Sequence, residues 1–292
     1  MLRWLLIIFW LLLVSLNVRL FFAPGLQRPV SFYPTYISEE LNLKTGKDFF
    51  SCTRVNANGE LLPDSVLHAM FYYVYVSEKK EVKSVTGQAF RSFWTDSFSA
   101  FKYADSLKTM YDVLVYRTAG TAAARFSYRM FMYEPASVVF IMLHEAVHRH
   151  KSGVDSKLPY VFEEALCDVM ANYYLQQLAK GTADSSWAKK YTWKLEKVYG
   201  IINQTTSGLL TKQQGHEAIL AITSQSDLFV RDRYEYEINN AYLVRYSTYC
   251  RYYFLLKELL IKTGDADTFL KKVLSLKGNE STVHELLKKL LR

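Results

Sequence analysis

Two histidines four residues apart, with a glutamate directly after the first, stand in this 292-residue chain as His144-Glu145-Ala146-Val147-His148. On a helix, residues i and i+4 lie one turn apart on the same face, so both imidazoles can reach a single ion. Glu145 is rotated from His144 by ~100°, which puts its carboxylate beside the ion, where a water would sit, and not among the ligands. This is the layout of a zinc site with a glutamate general base. Two histidines leave a tetrahedral zinc short of a protein donor, so the residues that decide the matter lie downstream. There the chain reads Phe162-Glu163-Glu164-Ala165-Leu166-Cys167-Asp168. Glu164 and Asp168, four apart, share one side of a second helix; Glu164 can ligate the metal and Asp168 can accept the spare N–H of a ligating histidine. The neighbouring positions are mostly apolar, a setting in which an isolated carboxylate is costly without a cation. Glu163 stays open as a substitute for Glu164. Cys167 is expected to rotate to another face and to be a buried free thiol.

With one zinc ion bound, the expected reaction is hydrolysis of a peptide bond. Water activated by the metal loses its proton to Glu145 and attacks a polarised carbonyl, and Glu145 returns the proton to the leaving amine. The oxyanion needs one more donor. Tyr242 and Tyr246 are the first candidates, with Arg245 and Tyr249 beside them, because they lie on a later helix rich in tyrosine.

The elements that must hold these groups follow from local pattern. Pro135 opens the motif helix at its favoured first-turn position, and the apolar run Val138 to Leu143 buries it. A loop with Gly153 and Pro159 leads to a second helix over 161–178. Helical patterns follow over 187–199, 212–224, 234–262, 266–276 and 281–291. Ahead of the motif, Phe71 to Val76 reads as a strand and Phe98 to Met110 as a helix. Tyr111 to Tyr116 and Arg125 to Tyr133 read as a hairpin or edge strand around a turn at Thr118 to Thr121. Arg149, His150 and Lys151 suit the C-terminal end of the motif helix as dipole complements, and His68, His216 and His284 have no partner spacing.

The combined pattern resembles the gluzincin metallopeptidases, whose H-E-x-x-H is followed on a second helix by a glutamate ligand and an aspartate four residues on. His144, Glu145 and His148 match the first part. Glu164 and Asp168 match a thermolysin-like N-E-A-x-x-D segment, with Glu163 standing where the pattern has asparagine. A weaker resemblance, carried by Asn239-Asn240-Ala241-Tyr242-Leu243 with Tyr246 and Tyr249, is to a bacterial family of aminopeptidases with the same motif. The aminopeptidase label comes from that resemblance alone, since the G-x-M-E-N segment of the large zinc aminopeptidases is absent.

Composition sets the frame. Half the residues are hydrophobic, and 22 Tyr and 18 Phe stand against 12 Gly and 6 Pro, a balance that favours long helices around a large core over a many-stranded sandwich. Three separated cysteines exclude a dense disulfide framework and a cysteine-rich zinc ribbon. The net charge of +8 is diluted among 36 basic and 28 acidic residues, with no basic, aromatic-interleaved stripe, so no nucleic-acid partner is expected. Trp4 to Leu16 is apolar except for Ser15 and is flanked by arginines, which implies lipid. The expected organisation is an N-terminal membrane anchor or signal segment over 1–22 and a single metallopeptidase domain over 23–292. Within that domain, 111–180 form the zinc-binding core and 181–292 a helical C-terminal part. The fold class is α+β, mainly helical and zincin-like, with a small β-sheet packed on the motif helix and the catalytic domain held on the extracytoplasmic side.

Overall fold

A computed structural model of the chain describes residues 71–85, 90–93, 96–118, 135–152, 157–181, 185–224 and 238–292. The fold is α+β and mainly helical, with one small antiparallel sheet. Strand β1 (Phe71–Ser77) lies at its centre, between the two-residue β2 (Arg91–Ser92) and β3 (Asp112–Thr118). The register pairs Tyr73 with Tyr116, Val74 with Val115 and Tyr75 with Leu114.

Strand alternation sends the two residue types to opposite faces. Val74 and Val76, with Val113 and Val115, pack on Ala100 and Ala104 of helix α1 (Ser97–Leu107). Tyr73, Tyr75, Leu114 and Tyr116 face the other way, into the main core. That second face receives helix α6 (Asn240–Cys250). Asn239 caps α6 by accepting from the Tyr242 N–H at 2.9 Å and donates its own amide to the Val113 carbonyl at 3.1 Å. Asn240 donates through its backbone to Asp112 at 2.9 Å and through its side chain to the Glu78 carbonyl at 2.7 Å. The start of α6 is thereby tied to both long strands.

The motif lies on α2 (Pro135–Ser152), which buries Val139, Phe140, Leu143, Ala146 and Val147 at helical spacing. It packs chiefly on α3 (Tyr160–Ala179). Helix α3 is buried over most of its circumference, with thirteen of its 20 residues buried, Glu164, Asp168 and Asn172 among them, as expected of a helix enclosed by its neighbours. Helices α4 (Ser185–Thr206), α5 (Lys212–Ser224), α7 (Tyr253–Thr263), α8 (Ala266–Leu274) and α9 (Glu280–Leu291) complete the described part. Helix α7 ends at Gly264, whose φ of 72° is the left-handed conformation that favours glycine, with its N–H on the Leu260 carbonyl.

Two expectations change. The helix anticipated over 234–262 starts at Asn240, residues 234–237 lying outside the described residues, and it breaks at Arg251 and Tyr252. Tertiary contacts account for the break. Tyr252 stacks on Phe162 at 3.8 Å and donates its hydroxyl to Glu280 at 2.6 Å, an orientation held by its non-helical ψ of 2°. The sheet packs mainly on α1 and α6, while α2 meets it only as part of the shared core. Strand β3 is an edge strand of the described sheet, paired with β1, and Arg125 to Tyr133, the other half of the expected hairpin, lie outside the described residues. Residues 1–22 also lie outside them, and no described helix is long and apolar enough to cross a membrane.

Candidate metal centre

His144 and His148 project from one face of α2, with their Nε2 atoms 3.0 Å apart. Each ring is held from behind by a carboxylate of α3. Asp168 Oδ1 lies 2.7 Å from Nδ1 of His144, and Glu163 Oε1 lies 3.0 Å from Nδ1 of His148. A ring that donates Nδ1–H to a carboxylate turns the lone pair of its Nε2 outward. Two such lone pairs at 3.0 Å repel unless a proton or a metal ion lies between or beside them.

Glu164 lies on the same open side. Its Oε2 is 3.3 Å from Nε2 of His144 and its Oε1 is 3.6 Å from Nε2 of His148. Ligands at ~2.0–2.1 Å from a tetrahedral zinc are separated from one another by about 3.3 Å. The two nitrogens are 3.0 Å apart, and different oxygens of the one carboxylate lie 3.3 and 3.6 Å from them, so two imidazoles and a carboxylate stand close to the spacing one such ion requires. Glu163, the open alternative, is on the far side of His148, where it orients the ring. The two adjacent glutamates thus occupy different places, because consecutive helical residues diverge by ~100°.

Cys167 does not rotate out of reach. One ligand atom each from His144, His148 and Cys167 falls within 4.8 Å of the others, a group that could hold a metal ion. The reason is helical: Cys167 is three residues after Glu164, and i and i+3 are neighbours on a helix surface just as i and i+4 are.

The electrostatics show how strongly the cluster calls for positive charge. Burial alone would keep both histidines neutral, yet both are raised above the ordinary imidazole value, His144 by Asp168 and Glu164, and His148 by Cys167, Glu163 and Glu164. Burial pushes the Glu164 carboxyl up, but its hydrogen bonds with the two imidazoles outweigh this and hold it below the usual carboxylate range. Burial pushes the Cys167 thiol up to about 12.

Beyond the ligating face, Asp168 uses its second oxygen to accept from the Tyr199 hydroxyl of α4. Glu145 is partly buried, and its charge reaches Tyr73 of β1. Tyr73 is pushed up to about 12 by burial, with Tyr116 and then Glu145 adding to the effect. Among the tyrosines considered as oxyanion donors, Tyr249 places its ring 6.2 Å from that of His144. Tyr242 and Tyr246 pack against each other at a tilt, 4.4 Å between ring centres, and Tyr242 is fully buried. Arg245 lies under the rings of Tyr75, Tyr116, Tyr246 and Tyr249.

The structure thus gathers His144, His148, Glu164 and Asp168 from two helices and adds Glu163, Cys167 and Tyr199. Spacing on α3 contained the signal for the first two additions. Nothing local marks Tyr199, which lies 31 residues from its partner. The chain matches no protein-family model, no curated protein and no solved structure.

Proposed function

We propose that the chain is a zinc-dependent peptidase of the gluzincin kind, zincin-like in fold, with His144, His148 and Glu164 as ligands and Glu145 as general base. One observation carries this reading: two Nε2 atoms and a carboxylate converge at separations that suit a single tetrahedral ion. A zinc ion bound there would supply Lewis-acid polarisation of a carbonyl and water that ionises near neutral pH. Asp168 and Glu163 orient the two imidazoles by accepting from Nδ1. The Glu145 carboxylate takes the proton of the attacking water and gives it to the leaving amine. The substrate is a peptide or protein; the aminopeptidase form rests on the resemblance around Asn239 to Tyr249. The apolar segment over 1–22 would anchor the catalytic domain to a membrane, on its extracytoplasmic side.

The test is elemental analysis of the full chain together with digestion of a mixed peptide library. About one zinc per chain, lost in His148→Ala, with hydrolysis abolished and zinc retained in Glu145→Gln, is the expected result. A folded, metal-free wild type overturns the reading.

Cys167 favours a second reading, a non-catalytic zinc site that stabilises a membrane-associated binding protein. Structural zinc sites close their fourth position with a protein ligand, often cysteine. In that case Cys167→Ala loses the ion and Glu145→Gln changes nothing; in the peptidase, Cys167→Ala keeps it.

A further inference from the structure

Arg245 is only 8% exposed and sits among four tyrosine rings. Its guanidinium carbon is 4.5 Å from the ring centres of Tyr116 and Tyr249, 5.4 Å from Tyr75 and 5.5 Å from Tyr246. Its Nε has no hydrogen-bond partner. The rings answer the charge through their π faces, but the five N–H groups of a guanidinium lie in its own plane and require acceptors there. A buried guanidinium that meets aromatic faces and whose Nε–H lacks an acceptor has part of its recognition chemistry unused. The group that completes it is planar, anionic and bidentate, which is a carboxylate.

The location gives this carboxylate a role. Tyr249 touches both sides: its ring packs on the guanidinium at 4.5 Å and lies 6.2 Å from the ring of His144. One tyrosine therefore separates Arg245 from the candidate metal ligands. Tyr75 and Tyr116 reach the same point from the face of the sheet that is turned toward the main core. Tyr160, 44% exposed at the start of α3, is close enough to sense the charges of both Arg245 and Glu164, and Tyr73, partly buried, senses both Arg245 and Glu145.

We propose that Arg245, held by Tyr75, Tyr116, Tyr246 and Tyr249, receives a carboxylate of the peptide substrate beside the candidate metal centre. The inference takes its substrate class from the peptidase reading, and it selects peptides by a negative group near the cleaved bond, either a free C-terminus or an acidic side chain. It assigns Arg245 to binding and not to the oxyanion.

The test measures the melting temperature of the full chain, zinc-loaded and chelator-treated. Three probes are used at 10 mM: N-benzoylglycine, its amide, and N-acetylglutamate α-amide, whose only carboxylate is on the side chain. We expect N-benzoylglycine, N-acetylglutamate α-amide or both to raise the midpoint by about 2 °C or more while the neutral amide does not. This should hold with and without metal. The acid that acts distinguishes a C-terminal from a side-chain carboxylate. Arg245→Met should remove the effect, and Arg245→Lys, which keeps the charge but loses the fork, should leave a smaller one. Equal shifts from acid and amide in the wild type overturn the proposal without recourse to any variant, as does an acid-selective shift that survives in folded Arg245→Met. An acid shift seen only with zinc would place the carboxylate on the ion; it overturns this proposal and leaves the zinc reading standing. An Arg245-dependent shift in a chain that binds no zinc supports the carboxylate site and removes the peptidase.

Discussion

Asp168 has each carboxylate oxygen engaged, one by His144 and the other by Tyr199, so on the zinc reading proposed above its part can be tested apart from that of the proposed ligands. Asp168→Asn should weaken zinc binding by about 10–100-fold, read by competition with a chelating dye, because an uncharged partner fixes the imidazole less firmly and lowers its basicity. Glu163→Gln should weaken it less, since His148 and its partner are more exposed than the His144 pair. At this scale the sequence was legible wherever helical spacing alone decides position. His144 and His148 converge because they are four apart, and Glu164 and Asp168 share a side for the same reason. Cys167 is the buried free thiol expected, but its face was misplaced, because a three-residue step returns to that side as well. The setting of Arg245 could not be read at all, since two of its four rings come from strands far away in sequence, and pairing register decides which strand residues face α6.

Among the elements, α6 carries residues that pack between the sheet and the centre, and its first turn is capped by one side chain, that of Asn239. Asn239→Ala removes a helix cap worth about 1 kcal/mol. It also breaks the amide link to Val113, so the melting midpoint should fall by roughly 3 °C while the zinc content stays near one per chain. The C-terminal helix α9 is joined to the break before α7 through Glu280, which accepts from Arg251 at 2.8 Å and from Tyr252 at 2.6 Å. Burial raises the Glu280 carboxyl, but the Tyr252 and Arg251 hydrogen bonds outweigh this and lower it below its ordinary value. A carboxyl lowered in the folded state adds stability above its unfolded value, near 4.3, and loses it as pH falls through the lower folded value. Acidification below about pH 4 should therefore loosen α9 in the wild type, and Glu280→Gln should flatten that part of the pH–stability curve measured by circular dichroism. Helices α5, α8 and α9 were legible almost to their ends because each is an exposed amphipathic helix with polar flanks. The break at Arg251 and Tyr252 was not, because the residues that cause it, Phe162 and Glu280, belong to other helices.

For the molecule as a whole, apolar patterning predicted a mainly helical α+β chain but not the arrangement of its layers. Val alternates with Tyr along β1 and with Leu and Tyr along β3, so both faces of the sheet are buried, and a strand buried on both sides does not say which helix covers which face. Metal removal is the prediction that belongs to this scale. If the ion binds the native state alone, chelation should lower the melting midpoint of the wild type and leave that of His148→Ala unchanged, and added zinc should restore the first in a concentration-dependent way. The burial of α3 over most of its circumference has a separate consequence, in the order in which the backbone opens. Amides of an enclosed helix exchange with deuterium only in the largest openings of a protein, whereas those of elements with an exposed face exchange in smaller ones. Glu164 and Asp168 thus ride on the segment that should exchange last. The amides from Leu166 to Tyr174 should stay protected in the chelated chain as well as in the loaded one, so that an ion could come and go over a scaffold that remains shut.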